Sequence, residues 1–253
     1  MADVTITSAD DERVVRKKSL KEEVFDLLHQ RIVEGKYLPG DWLRQEEISH
    51  QTGVSQTPVR EALDLLVSVG LAERVPYRGV RVPELTTDEI IDAYILRLIL
   101  ESTAAHLAAL NISGEQLQSL TEIVERTRSL VTLDDMSRLR QLNRRFHLGL
   151  VAASGNLQLS KLYEMVSNKF PDWRLYEYMF RHPELLETSL KREYEEHRNI
   201  VEALDQRDPG RAAGQTVVHI HNLGHELVEF LNVSQHTLEE REAQISHLLA
   251  VHS

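Results

Sequence analysis

The chain has 253 residues, enough for two modest domains, and its apolar and charged fractions are those of an ordinary folded protein rather than a disordered one. It contains no cysteine, which excludes disulfides, thiol catalysis and cysteine-based metal sites. No apolar run reaches the length of a membrane span and residues 1–12 have neither a basic nor an apolar leader character, so the expected address is cytoplasmic, with no membrane partner.

A net charge of −11 argues against a nucleic-acid binder until it is divided along the chain. Residues 13–82 carry twelve Lys and Arg against ten Asp and Glu, whereas residues 83–253 carry seventeen against twenty-six. The acidity therefore lies at the start and in the C-terminal part. Arg13, Arg16, Lys17, Lys18 and Lys21 form a basic cluster at the head of the first domain.

In chain order, Ser19 to Glu22 reads as a capping box, and Val24, Leu27, Leu28 and Ile32 follow at helical spacing as far as Gly35. A second helix is predicted over Gln45 to Thr52, stopped by Gly53. A third starts at Ser55 or Thr57, with Pro58 in its first turn and Gly70 as its stop. Leu71 to Val75 and Val80 to Val82 flank a Pro/Gly turn and read as a hairpin. From residue 84 the pattern is helical only. Helices begin at Thr86, Ser113, Thr132 or Asp135, Asn156, Pro183 and Pro209, which predicts an antiparallel bundle of six long helices. The fold class is thus mostly α: a tail (1–17), a three-helix unit with a two-stranded wing (18–83), an all-α bundle (84–234) and a loosely attached helical tail (235–253).

Gly53-Val54-Ser55 between two short helices is the turn of a helix-turn-helix, whose second helix presents its N-terminal residues to base edges. Here those are Ser55, Gln56, Thr57 and Arg60: Gln can pair with adenine, Arg with guanine or phosphate, and hydroxyls with phosphate. The pattern alone leaves an ordinary three-helix domain as an equal reading. The string Leu38-Pro39-Gly40, Gly53 to Leu63, Gly70-Leu71 and Arg78-Gly79-Val80 resembles the GntR family of bacterial regulators. That resemblance implies operator contacts from Ser55, Thr57 and Arg60, and from Arg78 and Gly79 at the wing tip. Gln56 stands where many relatives have Arg, so its contact is expected to differ. Arg44, at the start of the second helix, is a candidate phosphate contact. Paired half-sites then imply a homodimer on pseudo-palindromic double-stranded DNA.

The first bundle helix is apolar nearly all round yet carries Arg97 and Glu101 one turn apart, a pair that can orient helices. Arg97, Leu100 and Glu101 followed by the Ala104 to Ala109 run resemble the FadR C-terminal (FCD) ligand-binding domain, in its six-helix, VanR-like form. There the Arg faces an effector carboxylate. Asn143 and His147 share a helix face, with His197 and His219 on two later helices. On spacing alone, twelve histidines make such coincidences easy. The segments Asn143 to His147, Glu196 to Leu204 and His219-Ile220 resemble the family's metal-binding segments, which implies Asn143, His147, His197 and His219 as ligands. Three imidazoles and one oxygen suit zinc first and nickel second. Asn143 replaces the usual Asp, so the metal is expected to keep its whole charge and favour a small organic carboxylate effector. Tyr94 and Trp173 are candidate walls of that cavity. The expectation is therefore a regulator, a repressor by preference, whose effector tunes operator binding. The alternative, a metal-dependent enzyme acting on a small carboxylate, lacks a metalloprotease helix motif and an evident general base.

Overall fold

The computed structural model describes residues 19–249 except 34, 69, 70, 85 and 131–134. The tail over 1–17, most of its basic cluster, the Gly70 stop, the Thr132 cap and residues 250–253 lie outside the described residues.

The head consists of α1 (Leu20–Val33), α2 (Gln45–Thr52), α3 (Gln56–Ser68), β1 (Glu73–Val75) and β2 (Gly79–Arg81). Glu22 accepts the Ser19 backbone N–H at 2.7 Å, one half of the expected capping box; the Ser19 hydroxyl donates to the same carboxylate, and the Glu22 N–H goes to the Ser19 carbonyl instead of to that hydroxyl. Gly53 closes α2 at φ 68°, a left-handed conformation a side chain would resist, and this sets the tight turn into α3. Val59, Ala62, Leu63 and Leu66 of α3 bury one face against α1, where Val24 and Leu28 are buried. The opposite face stays in solvent. β1 and β2 pair antiparallel with Arg74 opposite Val80, and Val80 enters the same core.

Behind the head come α4 (Thr87–Asn111), α5 (Gly114–Thr127), α6 (Met136–Ala153), α7 (Leu157–Lys169), α8 (Asp172–Arg181), α9 (Pro183–Asp205), α10 (Pro209–Leu231) and α11 (Gln235–Leu249). Full capping boxes start α4 (Thr86 with Glu89) and α5 (Ser113 with Gln116), and Asn156 and Asp208 cap α7 and α10. α8 is an addition to the six expected helices. It has ten residues, follows Pro171 without a side-chain cap, and is rich in aromatic residues of modest helix propensity, so little in its local sequence announces it.

α4 runs through the middle of the bundle against α6, α7, α9, α10 and α11. It alone among the described residues is long and apolar enough to cross a membrane, but 56% of that stretch is buried in the bundle, which accounts for its apolar character. α10 packs tightly on it at Gly224, where a Cβ would lie 2.7 Å from the Tyr94 hydroxyl oxygen. α11 folds back onto α4 and α10 and buries Leu238. Residues 235–249 are therefore docked rather than loose.

Candidate metal centre and nucleic-acid interface

Three helices converge on one buried cluster. The i, i+4 spacing of Asn143 and His147 points both inward from α6, while α9 supplies His197 and α10 supplies His219. The three imidazoles are buried, and one ligand nitrogen from each falls within 4.8 Å of the others. His219 Nε2 lies 3.3 Å from His197 Nε2 and 3.4 Å from His147 Nε2. The buried Asn143 Oδ1 has no hydrogen-bond partner.

The tautomers follow from what lies behind the rings. His147 Nδ1 is 2.6 Å from Glu101 Oε2, and His219 Nδ1 donates to Glu196 Oε2 at 2.7 Å. A carboxylate accepts only, so His219 carries a proton on Nδ1, and the carboxylate close behind His147 favours the same tautomer there, which turns the His147 Nε2 lone pair toward His219. Burial, only partly offset by Glu101, lowers the His147 pKa to about 4. Burial, then the neighbouring His219 and His147, holds His197 well below its usual value. With His147 and His197 held neutral, the ring nitrogens that meet at His219 Nε2 are suited to a cation between them. Two nitrogens bound to one tetrahedral zinc-like ion stand roughly 3.3 Å apart, which matches the observed spacing. The residues present thus fit a divalent metal, with Asn143 Oδ1 as an oxygen donor.

Glu101 and Glu196 were not among the expected site residues as partners of histidines. Glu101 was legible only as the partner of Arg97, and that pair is present: Arg97 Nε donates to Glu101 Oε1 at 2.7 Å. Burial pushes the Glu101 pKa up, but Arg97 and His147 outweigh it and hold it at about 2. Asn222 donates to the other oxygen of Glu196 at 2.5 Å. Two carboxylates one bond further out therefore supply the negative charge that Asn143 lacks, which corrects the expectation of a wholly uncompensated ion.

A cavity of about 40 Å³ opens beside the cluster, bounded by Arg97, Asn143, His147, Asp172, Glu193 and Glu226 among others. It holds an ion and a water or two, not a large ligand. Burial, then Glu193, lifts the Glu226 pKa to about 7, and burial raises that of Glu193. The guanidinium of Arg97 also stacks 4.7 Å over the Phe170 ring. Tyr94 is not brought to this cavity: it is fully buried and its hydroxyl donates to Glu242 of α11, with His221 Nδ1 3.4 Å away. Trp173 lies on α8 beside Asp172, but its side chain is outside the described set.

On the head, Ser55, Gln56, Thr57 and Arg60 are exposed at the start of α3, and Arg78 and Gly79 are exposed at the wing tip. Arg44, Arg60, Arg74, Arg78 and Gly79 line one surface groove between α3 and the wing. Of the expected contacts, Arg44, Arg60, Arg78 and Gly79 thus share this groove, to which the structure adds Arg74, which was not anticipated; Tyr77 is fully exposed at the wing turn. Gln45 donates to the Gln56 side chain at 3.3 Å, and Arg44 lies 3.7 Å from Glu47 in solvent.

Residues 20–82 match the bacterial regulatory proteins of the gntR family, and residues 92–222 match the FCD domain. The Uxu operon regulator of Haemophilus influenzae is 30% identical over 232 residues, covering 82% of this chain and 81% of that protein. The probable D-xylose utilization operon transcriptional repressor of Paenarthrobacter nicotinovorans is 27% identical over 240 residues, covering 90% and 94%. Among solved structures, E. coli McbR/YncC superposes with a TM-score of 0.73 at 25% identity, over 85% of this chain and 100% of that one. This chain belongs to the GntR family of transcription regulators, with a DNA-binding helix-turn-helix head followed by an FCD domain.

Proposed function

We propose that this regulator holds a divalent ion, zinc in first place and nickel in second, on Asn143, His147, His197 and His219, and that a small organic carboxylate bound there changes its affinity for operator DNA. The observation that carries the reading is the convergence of three buried imidazole nitrogens beside the orphaned Asn143 oxygen. When bound, the ion supplies Lewis-acidic positions for carboxylate oxygens. Glu101 and Glu196 orient His147 and His219 and fix their tautomers. Arg97 adds a cation at the cavity wall, and Glu226, with a pKa near neutrality, can donate rather than repel. The cavity is small, so an effector larger than a metal-bound carboxylate requires the wall to open. Such an opening is how occupancy would reach the heads.

The DNA-bound form is a homodimer on a pseudo-palindromic operator, read by Gln56 and Arg60 in the major groove, positioned by Ser55, Thr57 and Arg44, and met by Arg78 and Gly79 at the wing. The output is repression, in keeping with the Paenarthrobacter relative, a probable transcriptional repressor. Elemental analysis of protein purified without chelator should find about one ion per subunit. It should be lost in His197→Ala and His219→Ala and kept in His236→Ala, whose side chain is exposed. A carboxylate screen by calorimetry, repeated with operator present, then tests the switch. No metal after supplementation, or a carboxylate affinity identical with and without operator, overturns the reading. Light scattering at micromolar concentration tests the dimer, and a monomer there contradicts it.

A further inference from the structure

A second and much larger cavity, about 580 Å³, lies where the head meets the bundle, between the α1 end and wing base on one side and α6, α7 and the start of α8 on the other. Its size is that of a small-molecule site. Arg140, Arg144 and Arg174 line it from the bundle and Arg81 from the head. Arg81 is compensated, with Glu73 at 2.6 Å and Glu84 at 3.8 Å. The others are not. Arg140 is 1% exposed, its Nε has no hydrogen-bond partner, and its only carboxylate among the described residues is Asp172, at 3.5 Å. Arg144 donates to two neutral groups, the Ser167 hydroxyl at 2.9 Å and the Asn168 side-chain oxygen at 2.5 Å. Arg174 is exposed and makes no ion pair among the described residues. Three guanidinium groups therefore face one carboxylate.

We propose that this cleft binds a small organic dianion, one anionic group held by Arg140 in its depth and the other by Arg144 and Arg174. A buried guanidinium with an idle N–H is costly unless an acceptor arrives, and the planar fork matches carboxylate and phosphate oxygens alike. Two uncompensated charges in a half-enclosed cleft select a doubly charged ligand over a singly charged one. The apolar walls, Ile32, Leu71 and Val82 from the head and Phe170 from the bundle, take its carbon body. On the head side, burial and then Arg144 lower the pKa of His29 to about 4, the sign expected beside a cationic cleft. α8 also begins here without a side-chain cap, leaving N–H groups of its first turn to an anion.

The proposal does not rest on the metal reading, since the two cavities share Asp172 alone among their walls. Asp172 is the point at which they touch. A ligand gripped by both the head and the bundle favours one relative placement of the two, and so changes operator affinity.

The test uses full-length protein stripped of metal, with succinate, glycerol 3-phosphate and inorganic phosphate as dianionic probes and acetate as the singly charged control at matched ionic strength. At least one dianion should bind in calorimetry and raise the melting temperature more than acetate, and the carboxylate and phosphate arms tell which chemistry is preferred. Arg144→Gln and Arg174→Gln, on side chains at the mouth, should each weaken that binding about ten-fold, in line with loss of a charge-assisted contact. Arg140→Gln should abolish it, and if that variant does not fold the other two decide. His197→Ala should leave it unchanged. No dianion above acetate overturns the proposal. So does binding that survives all the arginine substitutions, or that disappears in His197→Ala, which would assign it to the inner cavity.

Discussion

Glu101 Oε2 of α4 lies 2.6 Å from His147 Nδ1 of α6, while its other oxygen receives the Arg97 guanidinium at 2.7 Å. One buried carboxylate thus ties the central helix of the bundle to the candidate metal centre and to the cavity wall. Glu101→Gln keeps the shape but loses the charge that holds the imidazole tautomer. It should weaken metal affinity about 10–100-fold, the usual cost of losing an outer partner of a ligating histidine. Chelator competition measures it, and an unchanged affinity would separate Glu101 from the metal. Stability should also fall, by about 3–5 kcal/mol, because Arg97 is left buried without its partner.

Asn143→Asp restores a charged oxygen at a position now occupied by a neutral one. It should tighten metal binding and weaken carboxylate binding together, since the added charge offsets part of the ion's own. Parallel titrations of metal into the apoprotein and of acetate into the metal-loaded form check both directions. A change of the same sign in the two would contradict the electrostatic account.

Arg60 is exposed at the start of α3 and shares its groove with Arg44 and Arg78. Arg60→Ala should reduce operator affinity by about 1–3 kcal/mol if it forks onto a guanine, with unfolding unaffected. Gel-shift titration at fixed salt decides it, and full affinity in the variant would remove Arg60 from the reading face.

The pH dependence of the head should follow His29. Burial, then Arg144, lowers its folded-state pKa from 6.5 to about 4. Above pH 6.5 the ring is neutral folded or unfolded, and its full contribution to stability is present. Between about pH 6.5 and 4 the unfolded chain takes up a proton that the folded one refuses, so stability is lost as pH falls through that window. His29→Gln should flatten part of this slope in urea unfolding of metal-free protein, where His147 contributes in the same direction. An identical slope in the variant would show that His29 is not held neutral.

Much of this protein is legible from its residues taken in short stretches. The capping of α4, α5, α7 and α10, the left-handed Gly53 between α2 and α3, and the apolar face of α3 are local matters. A helix period and a cap are set by neighbours three and four positions away. The histidine set was reached through resemblance, since spacing along the chain does not say which of twelve histidines meet. α8 escaped because aromatic residues and an uncapped start leave no local signature.

The sequence by itself determined the helix-turn-helix, the wing, the all-helical second domain and the i, i+4 pairing of Asn143 with His147, each specified by residues within a few turns of one another. Only the tertiary structure decided that Glu101 and Glu196 stand behind the histidines, and that Tyr94 turns away from the cavity to Glu242. It alone also joined Arg140, Arg144 and Arg174 to the head across a single cleft. Each of these relations links helices far apart in the chain or depends on which way a buried side chain turns. Partner and direction there are fixed by how whole helices pack, which no short window of residues contains.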